Sequence, residues 1–347
     1  MTLSSHPTGP LISVVIPTYG REMILCDTLK SLLEQTYSAY EVIVVDQTQN
    51  HEPATQQFLT QLTSEKKISL YTVPWANLPA ARNYAIERAN GSILLFLDDD
   101  VELPAGFLAA HAAGFKNRPE VGAIAGRVFD RMKLSESSTP EIEQLPPEAM
   151  DPGIAWYHID LVHTTQPQQV LTARGCNMSF RRSVFSKHKL RFDERFEGSA
   201  VREESDFCLR FRQTGLIIWY EPAAHLVHLG EETGGCHEVE TRSLTYQNTF
   251  YYNHFLMALK NLTPLQLLRF SYRLFDCHIL GHPPCNKSGS PIKIISRFGF
   301  YSFGFLKASF TLLKPTERDG RRFSQPFDRS SGQKQQSSRT ASICASK

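Results

Sequence analysis

Residues Ile93 to Leu97 read Ile-Leu-Leu-Phe-Leu and run straight into Asp98, Asp99 and Asp100. Five apolar residues in succession suit a strand buried on both faces, as in a parallel sheet covered by helices. Aspartates cannot continue into such a core, because an unpaired buried charge costs too much. The three must emerge at the strand's carboxyl end, the edge at which open α/β sheets bind ligands. Adjacent carboxylates repel one another unless a cation lies between them. Hard oxygen ligands suit Mg²⁺ or Mn²⁺, which commonly bridge to phosphates. The plainer alternative is a strand that ends in a solvated acidic turn.

The preceding ninety residues repeat a strand–helix rhythm. Leu11 to Ile16 is a strand, stopped by Pro17-Thr18-Tyr19-Gly20. Met23 to Gln35 has helical apolar spacing at Ile24, Leu25, Leu29, Leu32 and Leu33. Glu41 to Val45 is a strand ending in Asp46, Pro53 to Leu62 a helix, Ile68 to Val73 a strand, and Leu78 to Asn90 a helix stopped by Gly91. This alternation predicts a doubly wound, mostly parallel sheet over residues 11 to 100, with two strands delivering acid to one edge.

Further on, a helix is expected over Gly106 to Lys116 and a strand over Val121 to Phe129. Residues 131 to 169 are rich in Ser, Pro, Glu and Gln and read as a surface excursion or lid. A second ordered block spans Val170 to Leu229, with a helix over Arg202 to Arg212 and a strand at Ile217 to Tyr220. Residues 243 to 314 are aromatic, leucine-rich and basic, with amphipathic helices expected over Phe255 to Phe275 and Ile292 to Leu313. Such helices can lie on an anionic membrane surface or pack on the catalytic domain. Residues 1 to 10 and 315 to 347 are polar and are expected to be disordered.

Composition narrows the class. The chain has 347 residues, 41% hydrophobic and 21% charged, as in ordinary globular proteins. A net charge of +2 gives no nucleic-acid signature. Seven scattered cysteines without a CxxC pair disfavour a zinc site and suit reduced thiols in the cytosol. No signal peptide and no 18-residue apolar run is apparent, so no transmembrane helix is expected. The expected location is cytoplasmic, with peripheral attachment at the inner face of the membrane through the basic helices.

Several side chains carry candidate chemistry. Asp46 can accept hydrogen bonds from a base or ribose, or cap a turn. Arg82, early in its helix, can pair with phosphate or with a carboxylate. Glu203, Glu204 and Asp206 form a second acidic cluster. It is either a general-base site or the acid-rich start of a helix. His225 and His228 follow a strand; one has the chemistry to complete a metal site, and both suit turn or core roles. Trp156 and Trp219 can stack on a sugar or pack in the core.

Eight motifs in order resemble a known family. They are Ser13 to Tyr19, Glu41 to Asp46, Ala81-Arg82-Asn83, Phe96 to Asp100, Gly175 to Phe180, Phe192-Asp193, Glu203 to Asp206 and Pro222 to His228. Together they resemble family 2 glycosyltransferases with the GT-A fold, over roughly residues 11 to 260. The resemblance implies a Rossmann-like domain over residues 11 to 240. Residues 11 to 100 would bind nucleotide and 101 to 240 the acceptor, with a helical extension over 241 to 314. It implies inverting transfer from a nucleotide-sugar, with Pro17, Thr18, Asp46, Arg82, Asp98 and Asp99 bordering the donor. Asp100, with Asp98 and His228, would hold Mn²⁺ or Mg²⁺, and Cys176-Asn177-Met178 would line the donor-sugar region. Glu204 takes the position of the catalytic base, with Asp206 as the second candidate. Gln47 stands where many members carry another acid. Uridine diphosphate sugars are the commonest donors in that family, and the acceptor would be a glycan or lipid-linked sugar. A nucleotidyltransferase on a similar sheet, or a non-catalytic glycan- or nucleotide-binding subunit, are the alternatives.

Overall fold

The computed structural model describes residues 9–131, 141–153, 164–231, 243–283 and 290–314. Strands β1 (Ile12–Thr18), β2 (Tyr40–Asp46), β3 (Ser69–Thr72) and β4 (Ile93–Leu97) form one parallel half, ordered β3-β2-β1-β4. Helices α1 (Met23–Leu33), α2 (Pro53–Ser64) and α3 (Leu78–Ile86) provide its crossovers. Every residue of β4 is buried, as an uninterrupted apolar run requires. Its side chains alternate. Leu95 and Leu97 join Leu25, Leu29 and Leu59 of α1 and α2 on one face. Leu94 and Phe96 join Ala81 and Ala85 of α3 on the other.

Beyond β4 the sheet becomes mixed. Strand β5 (Val101–Glu102) follows the aspartates, and α4 (Phe107–Gly114) leads to β6 (Val121–Asp130). Short β7 (Gln168–Val170) precedes β8 (Asn177–Arg181), which runs antiparallel between β4 and β6. Helices α5 (Arg182–Lys187) and α6 (Glu203–Arg212) lead into β9 (Ile217–His228), parallel to β6. The strand expected at Ile217 to Tyr220 thus continues through Pro222 to His228. A register shift at Gly126/Arg127 absorbs the irregular segment around the proline.

Three helices close the chain: α7 (Leu244–Asn261), α8 (Pro264–Phe275) and α9 (Pro291–Leu313). The single helix expected over Phe255 to Phe275 is two. Thr263 and Gln266 form a capping box and Pro264 sits at the first helical position, so α8 starts afresh there. The three share a core with Phe196 and Leu209 of the α/β block. At Gly304 a Cβ would lie 2.6 Å from Tyr251 Cβ, so only glycine lets α9 approach α7 this closely. No described helix is long and apolar enough to cross a membrane. Cys26, Cys176 and Cys208 are free. Cys277 is disulfide-bonded, against the expectation of reduced thiols; sequence spacing does not report which sulfurs meet in space. Of the tails expected to be disordered, 315–347 and residues 1–8 of the stretch 1–10 lie outside the described residues. So do Trp156 and, of the expected lid, residues 132–140 and 154–163.

Candidate active site

Strand register builds the acidic site. Antiparallel pairing of β5 with β9 sets Val101 opposite His228, and parallel pairing of β6 with β9 sets Asp130 beside the same histidine. His228 therefore sits between two carboxylate-bearing strand ends. Its Nε2 lies 3.3 Å from Asp100 and 3.8 Å from Asp98, and its Nδ1 lies 3.5 Å from Asp130. Ligand atoms of Asp98, Asp100 and His228 all fall within 4.8 Å of one another.

The three aspartates occupy different environments. Asp98 is one-third exposed and faces outward. Asp100 is buried; one oxygen receives the Glu231 amide at 3.0 Å and pairs with Arg21 Nη2 at 3.3 Å. Burial opposes its ionisation, but the His228 hydrogen bond, the neighbouring positive charges and that amide hold its carboxyl below the usual range. Asp99 is also buried and pairs with Arg21 Nε at 3.3 Å. Burial dominates there and pushes its carboxyl up to about 7, with Arg21 opposing. Asp99 thus points into the protein and shares Arg21 with Asp100, rather than bordering a donor.

Burial also works against a charge on His228, yet hydrogen bonds to Asp100 and Asp130 outweigh it and raise the ring to about 11. The cluster gathers positive charge at one point. Two carboxylates and an imidazole are a donor set that fits Mn²⁺ or Mg²⁺, with the cation taking the place of the imidazolium proton. Asp130 itself is held by a bidentate pair of 2.9 Å bonds from Arg174, which fixes the far side of the His228 ring.

Arg82 lies beneath the cluster. It is almost wholly buried and pairs with Glu203 on one side. On the other it lies 3.7 Å from Asp98, and it donates to the Gly175 carbonyl at 3.0 Å. It braces two carboxylates and a backbone carbonyl. Glu203 opens α6, and the next residue, Glu204, is only half-buried, its Oε1 accepting from Ser205 Oγ at 2.7 Å. Arg202, with φ of 76°, turns the chain into this helix, and its Nε donates to His254 of α7 at 3.1 Å.

Asp206 lies elsewhere. It is fully buried and takes bonds from Arg210 at 2.8 Å, Lys260 at 2.7 Å and Asn261 at 2.8 Å. Burial opposes its charge, but Arg210 and Lys260 keep it ionised below the usual range. Two residues of α6, about half a turn, separate half-buried Glu204 from this acid, so the two face different ways and Asp206 is directed at α7.

Asn177 is likewise withdrawn. Its Oδ1 lies 2.9 Å from His111 Nε2, and its Nδ2 donates to the carbonyls of Arg127 and Ala224 at 3.0 and 2.9 Å. With its amide spent on the sheet, and Cys176 and Met178 buried beside it, this motif supports the site from below. His225 packs edge-on to Phe129. Trp219 packs against the core.

The expected nucleotide edge is assembled from β1 and β2. Pro17 and Thr18 are buried and register opposite Val45 and Asp46. Asp46 accepts from the Thr48 amide at 2.8 Å and lies 2.9 Å from His51 Nε2. Gln47 is buried, donating to the Thr18 carbonyl at 3.2 Å and accepting from the Asn77 amide at 2.6 Å, so it joins β1 to α3. Arg21, Asp130, Arg174 and His51 were not read from the sequence. The only available signal for Arg21 was a basic residue just after the strand-stopping turn.

Comparisons with known proteins follow this geometry. Residues 13–189, just over half of the chain, match the family profile described as Glycosyl transferase family 2. The chain is 27% identical over 245 residues to O-antigen biosynthesis protein RfbC of Myxococcus xanthus, covering 63% of this chain and 17% of that protein. It is 24% identical over 238 residues to the amylovoran biosynthesis glycosyltransferase AmsB of Erwinia amylovora, covering 66% and 73%. It is 33% identical over 91 residues to an Escherichia coli protein, covering 26% and 35%. That protein is named UDP-Glc:alpha-D-GlcNAc-diphosphoundecaprenol beta-1,3-glucosyltransferase WfgD. The matches span only 17% and 34% of two of the curated relatives. Among solved structures, S. aureus TarS 1-349 superposes with a TM-score of 0.54 at 17% identity, covering 85% of this chain and 81% of that one. Mannosyltransferase PcManGT from Pyrobaculum calidifontis, solved with GDP-Man and Mn2+, gives 0.51 at 16% identity, covering 90% and 89%. These structural likenesses carry the fold, and the profile match carries the family: the chain belongs to glycosyl transferase family 2.

Proposed function

We propose that this chain is a metal-dependent, inverting glycosyltransferase. It moves a sugar from a nucleoside-diphosphate sugar to an acceptor hydroxyl in the building of a cell-surface polysaccharide, glycolipid or glycan. The observation that carries this reading is the convergence of Asp98, Asp100 and His228, joined through buried Arg82 to the α6 turn that bears Glu204. Names of relatives support the substrate class. RfbC and AmsB are named for O-antigen and amylovoran synthesis, and WfgD for transfer from UDP-Glc to a lipid diphosphate-linked sugar. TarS has been solved with UDP-GlcNAc.

Asp98, Asp100 and His228 would hold Mn²⁺ or Mg²⁺, which when bound supplies charge neutralisation for the departing nucleoside diphosphate. Asp130 and Arg174 keep the His228 ring in place. Glu204, the acid of the second cluster that reaches solvent, takes the proton of the acceptor hydroxyl as that oxygen attacks the anomeric carbon. A single displacement inverts the anomeric configuration. Asp46 and Thr18 form the edge for the base and ribose.

The test is nucleoside diphosphate release from a panel of uridine, guanosine and deoxythymidine diphosphate sugars, with and without EDTA. Proton NMR of the product reads the anomeric configuration. Metal-dependent release with inversion is the expected result. Pyrophosphate release would replace this reading with nucleotidyl transfer, and no turnover with any donor would leave a binding subunit.

A further inference from the structure

The outer surface of the C-terminal helices is apolar where a water-facing helix should be polar. On α9, Ile292, Ile295, Phe303, Leu306, Phe310 and Leu313 recur three or four residues apart, with Gly299 filling the gap, and so share one stripe. All six are 52–79% exposed. The opposite face of α9 is spent on α7, where Gly304 and Ala308 are buried and Tyr301 stacks edge-on to Tyr251. Helix α9 therefore has two apolar faces, and the described residues cover one. Helix α8 repeats the pattern with Leu265, Leu268 and Tyr272, each 58–66% exposed, while Phe270 and Leu274 face inward. Contiguous exposed apolar surface of this kind marks an interaction site.

Charge selects the occupant. Described residues of the segment 262–314 carry Arg269, Arg273, Lys293, Arg297, Lys307 and Lys314 against one acid, Asp276. Arg269 and Lys307 are paired to Asp151 and Glu197 of the α/β block, which leaves a basic excess beside the stripes. A self-interface between two copies would set this excess against itself. Residues 315–347 cannot supply an apolar cover, being polar with seven basic and three acidic residues. A cavity of about 450 Å³ opens between the start of α7 and the start of α9, lined by Tyr246, Gln247, Phe250, His278, Lys293 and Arg297. Nη1 of Arg297 is shielded from solvent and has no hydrogen-bond partner among the described residues. A basic, hydroxyl-bearing cavity beside an exposed apolar stripe matches an amphiphile with an anionic head.

We propose that α8 and α9 form a docking face for an anionic phospholipid bilayer. Their apolar stripes enter the headgroup boundary, and the Lys293–Arg297 cavity receives a lipid phosphate. Docking is independent of the transfer reaction. The α6 turn bearing Glu204 is tied to α7, the helix beneath α9, so the bound chain presents its acceptor side at a fixed attitude to the bilayer.

Flotation of the full chain with vesicles tests this. Binding is expected to vesicles of phosphatidylcholine mixed with phosphatidylglycerol, to fall with added salt, and to be weak with phosphatidylcholine alone. Phe303→Glu with Leu306→Glu should weaken partitioning by about tenfold or more. Lys293→Ala and Arg297→Ala should each weaken it about fivefold. Lys293 is exposed, so its variant keeps the fold, and the two lipid compositions need no variant at all. Failure to bind anionic vesicles, or equal binding to both compositions without salt dependence, overturns the proposal. So does a dimer in light scattering that the Glu variants dissolve while vesicle binding is absent. Donor turnover without lipid is followed in parallel. Turnover without vesicle binding removes only the docking face, and vesicle binding without turnover removes only the transferase reading.

Discussion

At the scale of single residues, Glu204 and Asp206 illustrate how two acids in one helical turn acquire different work. Glu204 touches solvent and, among the described residues, bonds its neighbour's hydroxyl, whereas Asp206 is enclosed by Arg210, Lys260 and Asn261. Glu204→Gln should lower turnover by on the order of 10²–10⁴-fold while leaving the melting temperature unchanged. Asp206→Asn should instead destabilise the fold by about 3–5 kcal/mol, because it removes the buried charge that Arg210 and Lys260 pair with. Paired kinetics and thermal melts on both variants distinguish these outcomes; a large rate loss in a fully folded Asp206→Asn protein would reverse the assignment. Residue type and order made both acids candidates in the sequence. Only the direction of each side chain separates them, and a helix's exposed face is fixed by what packs on the other. Asn177 is the same case: its motif position suggested the donor sugar, while three partners from α4, β6 and β9 consume its amide.

At the scale of elements, the parallel half was legible because fully buried strands read as unbroken apolar runs and their helices as periodic ones. Its acid-tipped strands were legible for the same reason. The junctions made by non-local pairing were not. Nothing local to β8 states that it runs antiparallel beside β4, and nothing in Pro222 states that β9 continues past it. Where such pairing brings α4 onto β8, His111 is wholly buried, in contact with Ser179 and Asn177. Burial drives its ring down to about 4. The unfolded chain, titrating near 6.5, then binds more protons than the folded one between those values. This stability is present above about pH 6.5 and is lost as pH falls toward about 4, amounting to about 3 kcal/mol. Urea midpoints at neutral pH and near pH 4.5 should show the loss, and His111→Gln should flatten it. The α7–α9 contact offers a second test: Gly304→Val should cost about 1–3 kcal/mol by forcing the helices apart, read as a lower urea midpoint.

At the scale of the whole molecule, the site draws on distant parts of the chain. Arg21, the Asp98–Asp100 triplet, Asp130, Arg174 and His228 are separated by long stretches of sequence and meet only through the sheet. That is why sequence supplied the carboxylates and one histidine but not their supports. A nucleoside diphosphate and Mn²⁺ together should stabilise the chain by about 2.7 kcal/mol at a hundredfold excess over Kd. EDTA or Asp100→Ala should abolish that stabilisation, as read by calorimetry. A shift that persists in either condition would place the ligand elsewhere.

One guanidinium, that of Arg82, answers to Asp98 just after β4 and to Glu203 at the start of α6. The parallel half of the sheet and the block beyond it are therefore coupled through one buried charge. A chimera that takes residues beyond 100 from elsewhere must bring an acid that meets Arg82, or leave this buried guanidinium one partner short.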